Sequence, residues 1–272
     1  MPDTRKAARI ARVLVAAVAF GLFIAVGAAA PGRVPRVAHV VVIVFENHER
    51  GSVIGNPLAP TFTALARRYA EATNYRAVAH PSLPNYLALV SGSTHGVTND
   101  CTDCVQHGPT IGSQLTQAGV SWSAYAEGFP TSPLFAKKHV PFLYFPGQDG
   151  YVHALTDFSP AHLPAFSFVV PNLCHDMHDC STAVGDRWLK KFIQPLLTLK
   201  RTVIFVVFDE GTTTIGGGGN VSMIAAGTSI RGHATYANRA DHYNLLRTIE
   251  DALGVPPLAR AAAAEPITGI WH

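Results

Sequence analysis

Charged residues are scarce in this sequence. Lysine, arginine, aspartate and glutamate together make up 14% of its 272 residues, whereas hydrophobic residues make up 48%. The formal net charge is only +3, and part of it comes from the first twelve residues, so we expect no basic face of the kind that binds nucleic acid. The length and the hydrophobic share favour one medium-sized globular domain, which we expect to span residues 31–272.

Long apolar runs are lacking beyond the N-terminus. There, an apolar run from Val13 to Val26 is followed by small residues at Ala28 to Ala30 that fit a cleavage site. The basic residues that precede the run are Arg5, Lys6, Arg9 and Arg12. This pattern predicts a secretory signal peptide over residues 1–30, and therefore an extracellular or cell-wall-associated protein. An uncleaved membrane anchor is the alternative, because the apolar run approaches the length that spans a bilayer.

Cysteine is rare as well, with four residues in two close pairs. They are Cys101, Cys104, Cys174 and Cys180. An even number of cysteines in an exported protein favours disulfides, and pairing of sequence neighbours is the simplest of three connectivities. A four-cysteine zinc site is the alternative, although the spacing of the second pair is longer than a zinc-ribbon knuckle uses.

Two common functional motifs are missing. No G-x-S-x-G segment provides the serine elbow of an α/β-hydrolase. The glycine run at 216–219 lacks the lysine and the strand-to-helix context of a P-loop, so we expect it to be a flexible loop. A catalytic triad on that elbow and a P-loop phosphate cradle are therefore disfavoured.

The sequence does have a regular alternation of strand and helix patterns. Buried strands are predicted by apolar runs at residues 39–47, 120–128, 165–172, 202–211 and 221–227. Helical patterns occur at 59–72, 84–92, 110–119, 185–197 and 241–254. This alternation predicts an α/β sandwich around a mostly parallel sheet. Residues 136–165 have no clear period and predict an ordered loop region near the site.

Polar side chains follow three of these strands. Glu46 and Asn47 end the first, Asn172 ends another, and Asp209 with Glu210 end a third. Ligands bind at the carboxyl ends of the strands in such sheets. Carboxylate and amide oxygens suit a divalent cation, which would also neutralise acids that otherwise repel each other. The alternative is that these side chains cap helices or face solvent.

A second cluster of metal-ligating residue types occurs at 171–180, in the segment "PNLCHDMHDC". Asp176 and His178 can ligate a metal, and His242, at the start of a predicted helix, would complete a three-ligand site. A solvated loop bounded by a disulfide is the other interpretation.

Ser82 lies between Pro81 and Pro84, a spacing that predicts a stiff, non-helical elbow. A serine hydroxyl is a weak nucleophile unless a base or a metal activates it. The nearby carboxylates favour activation by a metal, with His80 as the alternative base. Taken alone, a serine beside prolines is more often a turn residue.

Several of these segments occur together, in the same order, in a known family. They are "VVIVFENHE", "HPSLPNYLALVSGSTHG", "KKHVPFLYF", "VVPNLCHDMHD", "GDRWL", "VVFDEG" and "DHYNLLRTIEDALG". From about residue 38 to its end, the sequence resembles the bacterial phosphoesterase family of secreted acid phosphatases and phospholipases C, within the alkaline-phosphatase superfamily. It is most similar to short secreted acid phosphatases that act on phosphatidylinositol phosphate. The resemblance implies an α/β/α sandwich.

The resemblance also implies roles for individual residues. Ser82 matches the nucleophile. The ligands of one or two divalent cations would be Glu46, Asn47, Ser82, Asp209 and Glu210. In members with two metals, Asp176, His178 and His242 would hold the second, and with one metal they would contact phosphate or protonate the leaving group. Phosphate contacts would come from Asn99, Lys138, His139 and His80, and His178 or His242 would protonate the leaving group. Glu210 stands where other members carry Asp or His, which leaves the identity of the metal open.

The implied reaction is hydrolysis of phosphate monoesters through a phosphoserine, with a phosphoinositide at a membrane surface among the substrates considered. Two alternatives stay open. A phospholipase C would use the same groups on a diester, and a non-catalytic binding protein would keep the scaffold without turnover. No nucleic-acid or protein partner is predicted.

Overall fold

The structure is a computed structural model that describes residues 32–272. The segment predicted as a signal peptide lies outside the described residues. Among the described residues, no helix is both long enough and apolar enough to cross a membrane.

Ten strands are found in residues 32–272. They are β1 (His39–Phe45), β2 (Ala70–Ala72), β3 (Tyr75–Arg76), β4 (Trp122–Ala126), β5 (Val152–Ala154), β6 (Phe166–Val170), β7 (Thr202–Phe208), β8 (Met223–Ala226), β9 (Ala234–Tyr236) and β10 (Ala240–Asp241). Eight of them form the central sheet, in the order β5-β4-β6-β1-β7-β8-β2-β9, and β3 pairs with β10 separately. Every neighbouring pair in the central sheet is parallel except the two that involve β8. The predicted α/β fold with a mostly parallel sheet is confirmed.

The pairing of β1 with β7 positions the site. The two strands are adjacent and parallel, and Phe45 lies opposite Phe208 at their carboxyl ends. The residues that follow, Glu46 and Asp209, therefore leave the sheet side by side, and the Asp209 N–H donates to the Phe45 carbonyl at 2.9 Å. Both strands are buried almost throughout, as expected for strands covered on both faces.

Six helices accompany the strands in the described residues. They are α1 (Arg50–Val53), α2 (Pro60–Arg68), α3 (Ser82–Ser91), α4 (Ile111–Gln117), α5 (Thr182–Ile193) and α6 (His242–Leu253). α2 packs against α5, and α3 packs against α6. The helix predicted over 59–72 is shorter than expected, because residues 70–72 pair with β8 and β9 as strand β2.

The predicted non-helical elbow around Ser82 is wrong. α3 begins at Ser82 itself, with Pro81 as its N-cap and Pro84 inside its first turn. The first N–H groups of a helix have no intrahelical acceptor, so a proline there removes no hydrogen bond. The prolines start this helix, and the helix places Ser82 at its N-terminus.

The glycine run at 216–219 forms a packed turn against the chain ahead of Ser82. A Cβ atom on Gly218 would lie 1.9 Å from the carbonyl oxygen of Ala79, and one on Gly217 would lie 2.7 Å from that of Val78. These glycines therefore permit a close approach of two backbones, which corrects the expectation of a flexible loop.

Residues 136–165 form the ordered connection that the sequence predicts. Besides β5, this region contains the short 3-10 turns Lys137–His139, Pro141–Tyr144, Asp149–Tyr151, Leu155–Asp157 and Pro160–His162. The first of these turns carries Lys138 and His139 to the carboxyl end of the sheet.

Candidate active site

An open cavity of about 330 Å³ lies at the carboxyl ends of β1 and β7. Its lining residues are Asn47, His80, Pro81, Ser82, Asp100, Lys138, His178, Glu210, Gly211 and Thr212. The cavity therefore combines predicted metal-ligating, nucleophilic and phosphate-contacting residue types at the edge where α/β proteins bind ligands.

Three carboxylates converge beneath the cavity. Glu46, Asp209 and Glu210 each offer one oxygen, and these oxygens all lie within 4.8 Å of one another. All three side chains are buried. Burial raises the pKa of Glu46 and raises the pKa of Glu210 to about 7. Burial and the charges of Glu46 and Glu210 raise the pKa of Asp209 well above its usual range.

The donor set of this triad fits a divalent cation. Asp209 Oδ2 is buried and forms no hydrogen bond with the described residues. Asn47 stands beside them with a left-handed φ of 54°, a conformation that asparagine adopts more readily than most residues. Buried oxygens without hydrogen bonds are costly, and hard oxygen ligands of this kind are what Mg²⁺, Mn²⁺ or Ca²⁺ prefer.

Ser82 lies between two of these carboxylates. Its Oγ is 3.0 Å from Glu46 Oε2 and 3.1 Å from Glu210 Oε1. A hydroxyl has one proton and can donate it to only one of them at a time. As the first residue of α3, Ser82 also lies in the positive field of a helix N-terminus, which favours an alkoxide or a bound anion.

The segment ahead of Ser82 is held by Asn85. The Asn85 side-chain oxygen accepts hydrogen bonds from the N–H groups of Val78 and Ala79, both at 3.0 Å. Its amide nitrogen donates to the carbonyl oxygens of Ala79 and Pro81. Asn85 is fully buried, so the backbone that leads into Ser82 is fixed by a side chain of the same helix.

Lys138 and Asp100 form the opposite wall. The Lys138 ammonium is 2.8 Å from Asp100 Oδ2, and Asp100 Oδ1 accepts a hydrogen bond from the N–H of Leu83 at 2.9 Å. Burial would lower the pKa of Lys138, but the hydrogen bond and the charge of Asp100 outweigh it and raise that pKa. A disulfide between Cys101 and Cys104 closes the loop beside Asp100.

His178 and His80 reach the cavity from two other loops. His178 Nδ1 is 2.6 Å from Asp179 Oδ1, and His80 Nδ1 is 2.5 Å from Glu210 Oε2. Both rings are partly exposed. The loop of His178 is closed by the second disulfide, Cys174–Cys180, so both predicted disulfides are present and each ties a loop of the site.

His139 and Asp176 lie behind the triad and do not line the cavity. His139 is 3.2 Å from Glu46 Oε1 and 3.3 Å from Asp176 Oδ2, and its ring stacks on Tyr86, whose hydroxyl donates to Glu46 at 2.5 Å. Burial lowers the pKa of His139 to about 4 and raises that of Asp176 to about 7. The predicted phosphate contact of His139 is replaced here by contacts with two carboxylates.

Three other predicted polar residues are not brought to the cavity. His242 is buried, with Nε2 2.6 Å from the Asp209 carbonyl oxygen and Nδ1 2.9 Å from the Tyr75 hydroxyl. Asn99 is exposed and accepts a hydrogen bond from the Cys101 N–H. Asn172 caps its own turn by accepting from two backbone N–H groups. These side chains support the loops and strand ends around the site.

Sequence reasoning missed Asp100, Tyr86 and Thr212. Asp100 follows Asn99 directly, so the residue that lines the cavity is one position from the predicted one. Tyr86 and Ser82 are separated by one helical turn, which places both on the face that meets Glu46. This spacing of four residues is informative only when the helix begins at Ser82, whereas the sequence pattern predicts a start at residue 84. Thr212 had no signal beyond its distance of two residues from Glu210.

Two curated proteins are similar to this chain over most of its length. A phosphatidylinositol-3-phosphatase of Mycobacterium tuberculosis is 34% identical over 260 residues, which cover 89% of this chain and 85% of that protein. A phosphate-repressible acid phosphatase of Penicillium chrysogenum is 29% identical over 235 residues, which cover 75% of this chain and 56% of that protein. The chain thus spans little more than half the length of this fungal relative.

Solved structures confirm the fold. A protein in the alkaline phosphatase superfamily from Vibrio parahaemolyticus aligns with a TM-score of 0.60 at 14% identity, covering 83% of this chain and 68% of that one. The lipoteichoic acid synthase LtaP from Listeria monocytogenes aligns with a TM-score of 0.59 at 10% identity, covering 85% and 74%. The sequence profile of the Phosphoesterase family matches residues 56–256. With this match over most of its length, the chain belongs to the Phosphoesterase family.

Proposed function

We propose that this protein is a metal-dependent phosphatase that hydrolyses phosphate monoesters through a phosphoserine at Ser82. The observation that carries the proposal is the position of Ser82 Oγ, at a helix N-terminus and within about 3 Å of two buried carboxylates. The names of the curated relatives support a monoesterase, since one is a phosphatidylinositol-3-phosphatase and the other an acid phosphatase.

The cation of this reaction would be held by Glu46, Asp209 and Glu210, with Asn47 and Ser82 adjacent. Such an ion supplies charge that stabilises the serine alkoxide and the phosphoryl oxygens. The clustered carboxylates and the unpaired Asp209 Oδ2 support this assignment. Asp176 lies behind His139, and we propose that it orients His139 and the His178 backbone.

The protein's own groups have distinct tasks in this reaction. Ser82 Oγ attacks phosphorus and gives its proton to a neighbouring carboxylate; the new P–Oγ bond forms as the P–O bond to the leaving group breaks. Lys138 and the N-terminus of α3 bind the phosphoryl oxygens. His178, rather than the buried His242, protonates the departing oxygen. Water then cleaves the phosphoserine, and the serine recovers its proton.

Substitution of Ser82 tests the nucleophile. We expect Ser82→Ala to abolish turnover of p-nitrophenyl phosphate and to prevent acid-stable phosphorylation, which mass spectrometry of acid-quenched enzyme detects in the wild type. Ser159→Ala is the matched control, because the Ser159 side chain forms no hydrogen bond with the described residues and lies outside the cavity. Turnover by Ser82→Ala near the wild-type rate contradicts the proposal.

We further propose that the substrate is a phosphoinositide lipid. Besides the name of the Mycobacterium relative, it is supported by exposed apolar side chains on the loops of the cavity. In residues 32–272, the large apolar side chains that are exposed are Leu58, Val105, Leu134 and Ile215. Along the sequence, Val105 lies five residues from the cavity residue Asp100, Leu134 lies four from Lys138, and Ile215 lies three from Thr212.

Comparison of substrates tests this assignment. We expect phosphatidylinositol phosphate in vesicles to be hydrolysed faster than its water-soluble headgroup, and Val105→Ser with Ile215→Ser to remove that preference without changing p-nitrophenyl phosphate turnover. Leu58→Ser is the matched control. A higher rate on phosphatidylcholine than on any monoester would instead favour the phospholipase C alternative.

We also propose that residues 1–30 are removed on export and that 31–272 form the mature domain. Both disulfides support an oxidising compartment. N-terminal sequencing of protein recovered from culture medium tests this; a retained Met1 supports the anchor alternative.

A further inference from the structure

Glu49 is outside the groups assigned above, yet its carboxylate holds the loop that follows Glu210. We call residues 211–219 the glycine loop. Glu49 Oε1 accepts a hydrogen bond from the Thr213 hydroxyl at 2.8 Å, and Oε2 accepts one from the Asn220 N–H at 2.9 Å. The Gly211 N–H donates to the Gly218 carbonyl at 2.7 Å. The two ends of the glycine loop are therefore bonded to each other and to one side chain.

The fit between Glu49 and the glycine loop is close. A Cβ atom on Gly211 or on Gly219 would lie 2.4 Å from Glu49 Oε1. No side chain can occupy either position without displacing the carboxylate. The Glu49 carboxylate therefore fits between Gly211 and Gly219 at the base of the loop only because neither residue has a side chain.

The glycine loop also packs on the backbone that leads to Ser82. Cβ atoms on Gly217 and Gly218 would overlap the carbonyl oxygens of residues 77–79. The Ala77 N–H donates to the Gly219 carbonyl at 3.2 Å. From its other side the same segment is held by Asn85. Residues 77–79 are therefore fixed between the glycine loop and α3, three residues ahead of Ser82.

We propose that Glu49 is a positioning residue for the reaction at Ser82. By closing the glycine loop it fixes segment 77–79, and with it the place of Ser82 Oγ, while Gly211 and Thr212 are kept in the cavity wall. This inference rests on the proposed function. Lys138 lies on another loop and still binds the phosphoryl oxygens when Glu49 is removed, so the effect falls mainly on kcat and little on KM.

Glu49→Ala, Glu49→Gln and the exposed control Glu265→Gln test the proposal with p-nitrophenyl phosphate. Because misplacing a reacting group by about 1 Å costs about 10²-fold, we expect Glu49→Ala to lower kcat by roughly 10- to 100-fold with KM changed by less than about threefold. Glu49→Gln keeps one acceptor oxygen and recovers part of kcat. Thermolysin should cut Glu49→Ala faster than the wild type before the exposed Ile215.

A folded Glu49→Ala enzyme with wild-type kcat overturns the proposal, whether or not its KM rises. If Glu49→Ala does not fold, Thr213→Val, which removes one of the two hydrogen bonds, gives the answer: a lowered kcat supports the role and a wild-type kcat overturns it. Ser82→Ala in the same assay distinguishes failure of the positioning role from failure of the phosphoserine reaction. A wild-type rate that does not depend on Ser82 removes the proposed function, and the positioning role with it.

Discussion

The charged groups on the two walls of the cavity are paired differently. We call the wall formed by Glu46, Asp209 and Glu210 the sheet wall, and the wall that carries Lys138 and His178 the loop wall. On the sheet wall, Glu46 and Asp209 are fully buried and close to Glu210, and burial raises the pKa of all three acids. On the loop wall, Lys138 and His178 are partly exposed, and each has its own carboxylate partner, Asp100 and Asp179. We therefore propose that the sheet wall needs a cation, whereas each basic group of the loop wall already has a carboxylate partner.

The largest expected effect comes from neutralising the sheet wall. We expect Asp209→Asn to lower kcat/KM by about 10³-fold, the upper range for removing one group from a preorganised electrostatic site. The same change should raise the melting temperature of EDTA-treated protein, because a buried acid no longer faces two others. Enzyme assays and scanning calorimetry measure both, with Asp157→Asn as the exposed control. A lower melting temperature of Asp209→Asn together with an unchanged kcat/KM would show that the sheet wall does not need a cation.

On the loop wall, we expect Lys138→Met to lower kcat/KM by roughly 10²-fold through loss of a phosphoryl contact. The melting temperature should change little, because Asp100 keeps its bond to the Leu83 N–H. Lys137→Met is the matched control, since the Lys137 ammonium bonds to the Thr102 carbonyl outside the cavity. Equal losses in the two variants would show that only general charge matters.

His178→Gln should separate leaving groups. A general acid contributes about 10²-fold or more when the leaving oxygen is basic, so an alkyl phosphate should lose activity by that order. p-Nitrophenolate leaves without protonation and should be little affected. Steady-state kinetics on the two esters gives the ratio. An equal loss on both substrates assigns His178 to phosphate binding instead.

The smallest effect is a pH-dependent stability of the cation-free protein. Burial raises the pKa of Glu210 from 4.5 to about 7, so its contribution to stability is complete below about pH 4.5 and is lost as the pH rises through 7. His139 and His242, with pKa values lowered to about 4 by burial, act in the opposite direction. The melting temperature of EDTA-treated wild type should therefore fall relative to Glu210→Gln between pH 4.5 and 7. Parallel curves contradict this.

The sheet wall could be predicted from sequence because its signal is local. A buried apolar run that ends in an acid marks a strand end, and adjacency of β1 and β7 then brings Glu46 and Asp209 together. The fold and the family followed from the same runs and motifs, and both are confirmed. The disulfide pairs were predicted because each links close sequence neighbours.

The loop wall could be predicted only in part, because the family resemblance supplied Lys138 and His178 but not Asp100. Lys138 reaches Asp100 across 38 residues of chain, and nothing local distinguishes Asp100 from Asn99 or Lys138 from His139. α3 begins at Ser82, two residues before the helical pattern at 84–92, because prolines are tolerated in the first turn of a helix. The glycine loop was misjudged because close packing against residues 77–79 is not visible in composition.

A titration of cation-free protein tests most directly whether the sheet wall requires a cation. After exhaustive dialysis against EDTA, Mg²⁺, Mn²⁺ and Ca²⁺ are added separately to the wild type and to Asp209→Asn while melting temperature and phosphomonoester turnover are recorded. We expect at least one cation to raise the melting temperature and restore turnover in the wild type, and none to do either in Asp209→Asn. Full turnover by wild-type protein that elemental analysis finds free of metal would contradict it.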